Sequence, residues 1–72
     1  MNLKIVINGE ESIINTQGKL ITLEDLILSS EYHPKLVVVE LNGIIVPPAK
    51  WREKEVKDGD LLEIVTIVGG GS

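Results

Sequence analysis

Leu61-Leu62-Glu63-Ile64-Val65-Thr66-Ile67-Val68 runs straight into Gly69-Gly70-Gly71-Ser72, and the contrast between the two halves decides how the chain is read. The first half is aliphatic and β-branched and is launched by the turn Asp58-Gly59-Asp60, so a strand is expected over 61–68. Alternation places Leu62, Ile64 and Thr66 on one face and Leu61, Glu63, Val65 and Ile67 on the other. Glu63 marks the second face as the outward one, which leaves Val65 and Ile67 as apolar residues exposed beside the glycines. The second half has no Cβ at three successive positions. It is the thinnest peptide a protein can offer, it reaches roughly 10 Å when extended, and it is expected to be mobile.

Upstream of the strand the punctuation is regular. Leu3 to Ile7 reads as a strand that Asn8-Gly9 turns back into Glu11 to Thr16, with Ser12 and Ile14 on one face and Ile13 and Asn15 on the other. Gln17-Gly18-Lys19 breaks this return strand. Thr22, with Glu24 and Asp25 after it, caps a helix whose Leu23, Leu26 and Ile27 share one face and whose length Ser29-Ser30 and Pro34 limit. Leu36 to Leu41 is expected to be a buried strand, and Asn42-Gly43 turns it into Ile44 to Val46. Pro47-Pro48 cannot donate ladder hydrogen bonds, so the stretch to Glu53 is a loop or one helical turn carrying Trp51, and Lys54 to Val56 leads into the next turn. Hairpin, helix, strand, irregular crossover and last strand is the order of an α+β fold, the β-grasp or ubiquitin-like arrangement. It has a mixed four- to five-stranded sheet with one helix packed across it. The expected organisation is one domain over 1–68 and a flexible glycine-rich tail over 69–72.

Composition narrows the function. At 72 residues the chain buries only about 60% of its unfolded surface, which leaves little room for a deep active site. Eleven acids against seven bases give a formal charge of −4, so neither nucleic acid nor an anionic membrane is an expected partner; a basic protein surface is. Cysteine is absent, which removes disulfides, thiolate metal sites and thiol nucleophiles. No apolar run spans a bilayer and no secretory signal is visible, so the expected location is cytoplasmic. His33 has no second histidine with which to share a metal. Glu10-Glu11 flanks a turn and Glu24-Asp25 opens a helix, where carboxylates are solvated or stabilise structure. Trp51 is read as covering a core edge. No nucleophile with a nearby base is present, so the chain is not expected to be an enzyme.

Four segments together resemble the thiamin-biosynthesis sulfur carriers, the ThiS-like proteins. They are the opening strand with Asn8-Gly9, Val38-Val39-Glu40-Leu41-Asn42-Gly43 leading to Val46-Pro47 and Trp51, Val56-Lys57-Asp58-Gly59-Asp60, and Ile64-Val65 through Val68-Gly69-Gly70-Gly71. The resemblance implies that an ATP-dependent adenylyltransferase (ThiF-like) adenylates the terminal glycine carboxylate. A persulfide donor then leaves a thiocarboxylate there, and a thiazole synthase (ThiG-like) receives the sulfur. Gly71 and Gly70 are then the functional terminus, and Glu63, Val65, Ile67, Val68 and Gly69 the surface for the activating enzyme. No cofactor is bound by the carrier; ATP and metal belong to the partner. Ser72 departs from the family's terminal glycine. Its removal to expose Gly71 is the expectation, beside maturation by another route or a serine foreign to the natural chain; Gly-Gly-Gly-Ser also has the composition of a flexible linker. Carriers for molybdopterin synthesis or tRNA thiolation use the same terminal chemistry, and the short length and the Trp51 segment favour the thiazole branch. A ubiquitin-like interaction module with an inert tail is the alternative from another class.

Overall fold

Two Asn-Gly pairs fold most of the sheet. Asn8 and Gly9, at φ 52° and 84°, join the antiparallel strands β1 (Asn2–Ile7) and β2 (Glu10–Asn15). Asn42 and Gly43, at φ 53° and 87°, join β3 (Val37–Leu41) and β4 (Ile44–Val46) in the same way. Positive φ at both central residues is the type I′ turn, whose twist matches that of the strands it joins. This computed structural model describes residues 2–67. Val68, Gly69, Gly70, Gly71 and Ser72, on which the expected tail and the domain boundary fall, lie outside the described residues.

Strand β5 (Leu61–Thr66) enters between the two hairpins, giving the order β2-β1-β5-β3-β4. It runs parallel to β1, with Val6 opposite Leu61 and Ile7 opposite Leu62. It runs antiparallel to β3, from Val37 opposite Thr66 to Leu41 opposite Leu62. Both turn asparagines spend their side chains on this strand. The Asn8 carboxamide accepts from the Ile64 N–H at 2.8 Å and donates to the Ile64 carbonyl at 3.1 Å, so it imitates a neighbouring strand just where β1 has ended. Asn42 Oδ1 accepts from the Leu61 N–H at 2.9 Å, and its Nδ2 donates to Asp60 at 3.1 Å. Ahead of β5, Asp60 also accepts from the Lys57 N–H, and Asp58 from the Lys4 N–H, each at 2.7 Å.

One face of the sheet is closed by helix α1 (Leu23–Leu28) and a 3-10 helix, Pro48–Glu53. Six residues are too few to hold a helix in water by themselves, and α1 is fixed at its start. Thr22 Oγ1 accepts from the Asp25 N–H while Asp25 accepts from the Thr22 N–H, a reciprocal cap. The Leu23 N–H also donates to the Lys54 carbonyl, and Thr22 bridges Glu55, so the 54–56 segment is tied to the helix entry. Leu23, Leu26 and Ile27 bury against Leu3, Ile5, Val39, Leu62 and Ile64. Trp51 is buried as well, its Nε1 donating to the Val46 carbonyl at 2.8 Å, which bears out its reading as a core edge.

The boundaries move slightly from the sequence reading. The return strand is 10–15 rather than 11–16, because Thr16 already belongs to the turn in which Gln17 and Gly18 take positive φ. Strand β3 begins at Val37, since Pro34–Leu36 form a short 3-10 turn in which His33 accepts from the Lys35 N–H. The last strand is assigned to Thr66, although the Ile67 N–H still donates to the Leu36 carbonyl.

If the Asn8 side chain holds β5, Asn8→Gly keeps the turn conformation but strands the Ile64 amide. It is expected to cost about 1–3 kcal/mol. Urea denaturation at constant m-value checks this, and an unchanged midpoint would show that the clamp contributes nothing.

Candidate functional site

Strand β5 has one face in the core and one in solvent. Leu62 and Ile64 are buried, at 1% and 4% exposure, whereas Leu61, Val65 and Ile67 are 54%, 59% and 50% exposed. The alternation read from the sequence is therefore present, and Glu63 is exposed between Leu61 and Val65. Thr66 lies on the inner side in register, opposite the buried Val37, but is itself exposed.

The outward face extends over the neighbouring strands. Val65 is opposite Val38, Glu63 is opposite Glu40, and Glu40 is opposite Ile45 on β4. Ile45 is 61% exposed. On the other side Val6 adjoins Leu61, and Ile13 adjoins Lys4. The sequence reading missed Val38 and Glu40 as members of this surface by taking 36–41 as a buried strand, and it gave Ile45, in the short strand after it, no face. The signal was available: Glu40 shares its parity with Val38, and both are half-buried, not enclosed. Exposed aliphatic residues in one contiguous patch are the usual mark of a protein-binding surface on a small domain.

Elsewhere the described residues offer little chemistry. A shallow hollow of about 450 Å³, lined by Leu3, Ile21, Val56 and Lys57 among others, lies at the start of β1, the end of the sheet remote from Thr66. Among the described residues no three His, Asp or Glu side chains are placed to hold a metal ion. No helix among them is long and apolar enough to cross a membrane. Asp25, Asp58 and Asp60 are each engaged by backbone N–H groups and so serve the fold. The candidate site is thus the outward face of β5 and the segment that follows it. Of the predicted site residues, Glu63, Val65 and Ile67 stand on this face, and Val68, Gly69, Gly70 and Gly71 lie outside the described residues.

The family model for the ThiS family matches residues 5–71, from the first strand through the three glycines. The chain belongs to the ThiS family. The sulfur carrier protein ThiS of Bacillus subtilis is 42% identical over 50 residues, covering 69% of this chain and 76% of that protein. The crystal structure of the thiamine biosynthesis protein ThiS from Geobacter metallireducens superposes with a TM-score of 0.80 at 27% identity, covering 96% of this chain and 100% of that one. A thiazole synthase of Paramagnetospirillum magneticum is 41% identical over 97% of this chain, but the chain spans only 21% of that protein's length. The ThiS likeness bears out the β-grasp reading of the mixed sheet with, among the described residues, a single α-helix.

The two faces of β5 make a direct comparison. Leu62→Ala empties a core position and is expected to cost about 2–5 kcal/mol, whereas Leu61→Ala, one residue away, is expected to stay within about 0.5 kcal/mol of the parent. Urea unfolding of the pair would refute the face assignment if the two losses were similar.

Proposed function

We propose that this ThiS-family chain carries sulfur on the carboxylate of Gly71, for use in building the thiazole of thiamin. The observation that carries the reading is the family match running through Gly69-Gly70-Gly71, immediately after a strand whose outward face is aliphatic and exposed. A carboxylate is a poor electrophile until one oxygen becomes a leaving group. A partner enzyme holding ATP and metal supplies that step: the Gly71 carboxylate attacks the α-phosphate, pyrophosphate leaves, and an acyl-adenylate remains. The terminal sulfur of a persulfide then displaces AMP, and a thiol cleaves the S–S bond to leave the thiocarboxylate. The chain itself contributes a narrow, side-chain-free substrate segment and a folded handle. It acts as a co-substrate, and the bond changes take place in other proteins' active sites.

The chemistry requires Gly71 to be the terminal residue when it is activated, so the proposal includes loss of Ser72. The reach of the glycines, roughly 10 Å, also requires the activating enzyme to touch the domain next to them. Among the described residues, Val65 on β5 and Ile67 just after it are the exposed apolar residues nearest that point. The thiazole synthase as sulfur acceptor is supported by the relative that carries a segment like this chain within a longer thiazole synthase polypeptide.

Two measurements test the proposal. Incubation with ATP, the activating enzyme and a persulfide donor is expected to add about 16 Da, one oxygen exchanged for sulfur, to chain ending at Gly71. The same gain on chain still ending at Ser72 would rule out the processing step, and no gain on either would rule out the carrier role. Val65→Asp is expected to keep the parent's unfolding midpoint while weakening recognition by the activating enzyme by about tenfold or more, seen in KM. Unchanged adenylation kinetics would remove this face from the recognition surface.

A further inference from the structure

The outward face has an electrostatic irregularity at its centre. Glu40 on β3 and Glu63 on β5 are directly opposed in antiparallel register, a placement that sets the two Cβ atoms about 4.5–5.5 Å apart and is destabilising for like charges. Neither carboxylate has a cation within ion-pair distance among the described residues, whose two ion pairs are Lys50–Glu53 and Arg52–Glu24. Lys4, the cation on the same face, stands beside Ile13 and beyond the Val6–Leu61 row. The pair is bordered by aliphatic residues: Val38 and Val65 form the next row, Leu61 is two positions before Glu63, and Ile45 is opposite Glu40.

We infer that the opposed pair Glu40–Glu63 receives an arginine of the activating enzyme, at the centre of an apolar contact. The inference rests on the proposed docking of that enzyme to the outward face of β5. Two carboxylates on adjacent strands present acceptors on either side of one position, which suits a planar guanidinium with donors on several edges better than the compact ammonium of lysine. The aliphatic border offers a surface along which the arginine's methylene stem lies. A divalent ion is a poorer fit, since calcium or magnesium needs six or more oxygens and the described residues present no third His, Asp or Glu to the pair. The free carrier thus bears a repulsion that the complex relieves, and the negative charge of the chain as a whole, −4, favours approach of the same basic surface.

This arrangement makes stability and binding respond in opposite directions. The double variant E40Q/E63Q is expected to unfold about 2–4 °C higher than the parent, because the opposed charges are gone. Its affinity for the activating enzyme is expected to fall by about tenfold or more, and the loss of affinity with added salt to become shallower. E10Q/E31Q, which removes the same two negative charges at exposed positions away from the pair, is the control and is expected to bind as the parent does. An E40Q/E63Q variant with parental affinity and parental salt dependence would overturn the inference, as would one that loses affinity for thiazole synthase while keeping it for the activating enzyme. The proposed function fails separately: if the parent forms no acyl-adenylate the carrier reading is wrong, whereas an adenylated parent with an equally good double variant sinks the arginine contact alone.

Discussion

Strand β5 is hydrogen-bonded into place by two asparagine side chains that belong to other strands' turns, and the remaining structure depends on that capture. A parallel neighbour such as β1 pairs with β5 over only two register positions before it turns away. Asn8 continues the pairing from within the turn, and Asn42 does the same for the start of β5 from the opposite hairpin. Each asparagine therefore serves twice. Its backbone takes the positive φ that a type I′ turn needs, a conformation asparagine tolerates better than most residues, and its amide satisfies groups on β5 that would otherwise lack a partner.

Once β5 is fixed in both register and rotation, its two faces can serve separate purposes. Leu62 and Ile64 join Ile5, Val39 and the helix in a single core. Leu61, Glu63 and Val65 remain outside and, with Val38, Glu40 and Ile45, form one continuous face away from the core. A domain this small has limited freedom to do otherwise. One helix can cover one face of the sheet, and the aliphatic residues on the second face have no element of the described chain to bury them.

Much of this was legible from residues alone, for identifiable reasons. Asn-Gly pairs and the Thr22–Asp25 cap are local chemistry, so the hairpins and the helix could be read from a few adjacent positions. The alternation of Leu61 to Ile67 was clear because Glu63 broke an otherwise aliphatic run. What was not legible is non-local. That β5 lies between β1 and β3, that Glu40 meets Glu63, and that both turn asparagines reach β5 all depend on pairings between segments roughly 20 to 55 residues apart. The run at 36–41 misled for a related reason: β-branched residues suit both buried and half-exposed positions in a strand, and only the position of β5 shows which side of β3 is covered.

The adjacency of β1 and β5 also has a mechanical consequence. One leads in from the N-terminal side of the domain and the other leads out towards the glycines, and the two are parallel neighbours. Tension applied between the two ends of the domain therefore loads these strands lengthwise, in shear, so that their shared hydrogen bonds and the Asn8 contacts resist together instead of parting one after another. A pull on the chain beyond β5 is thereby spread over several bonds at once.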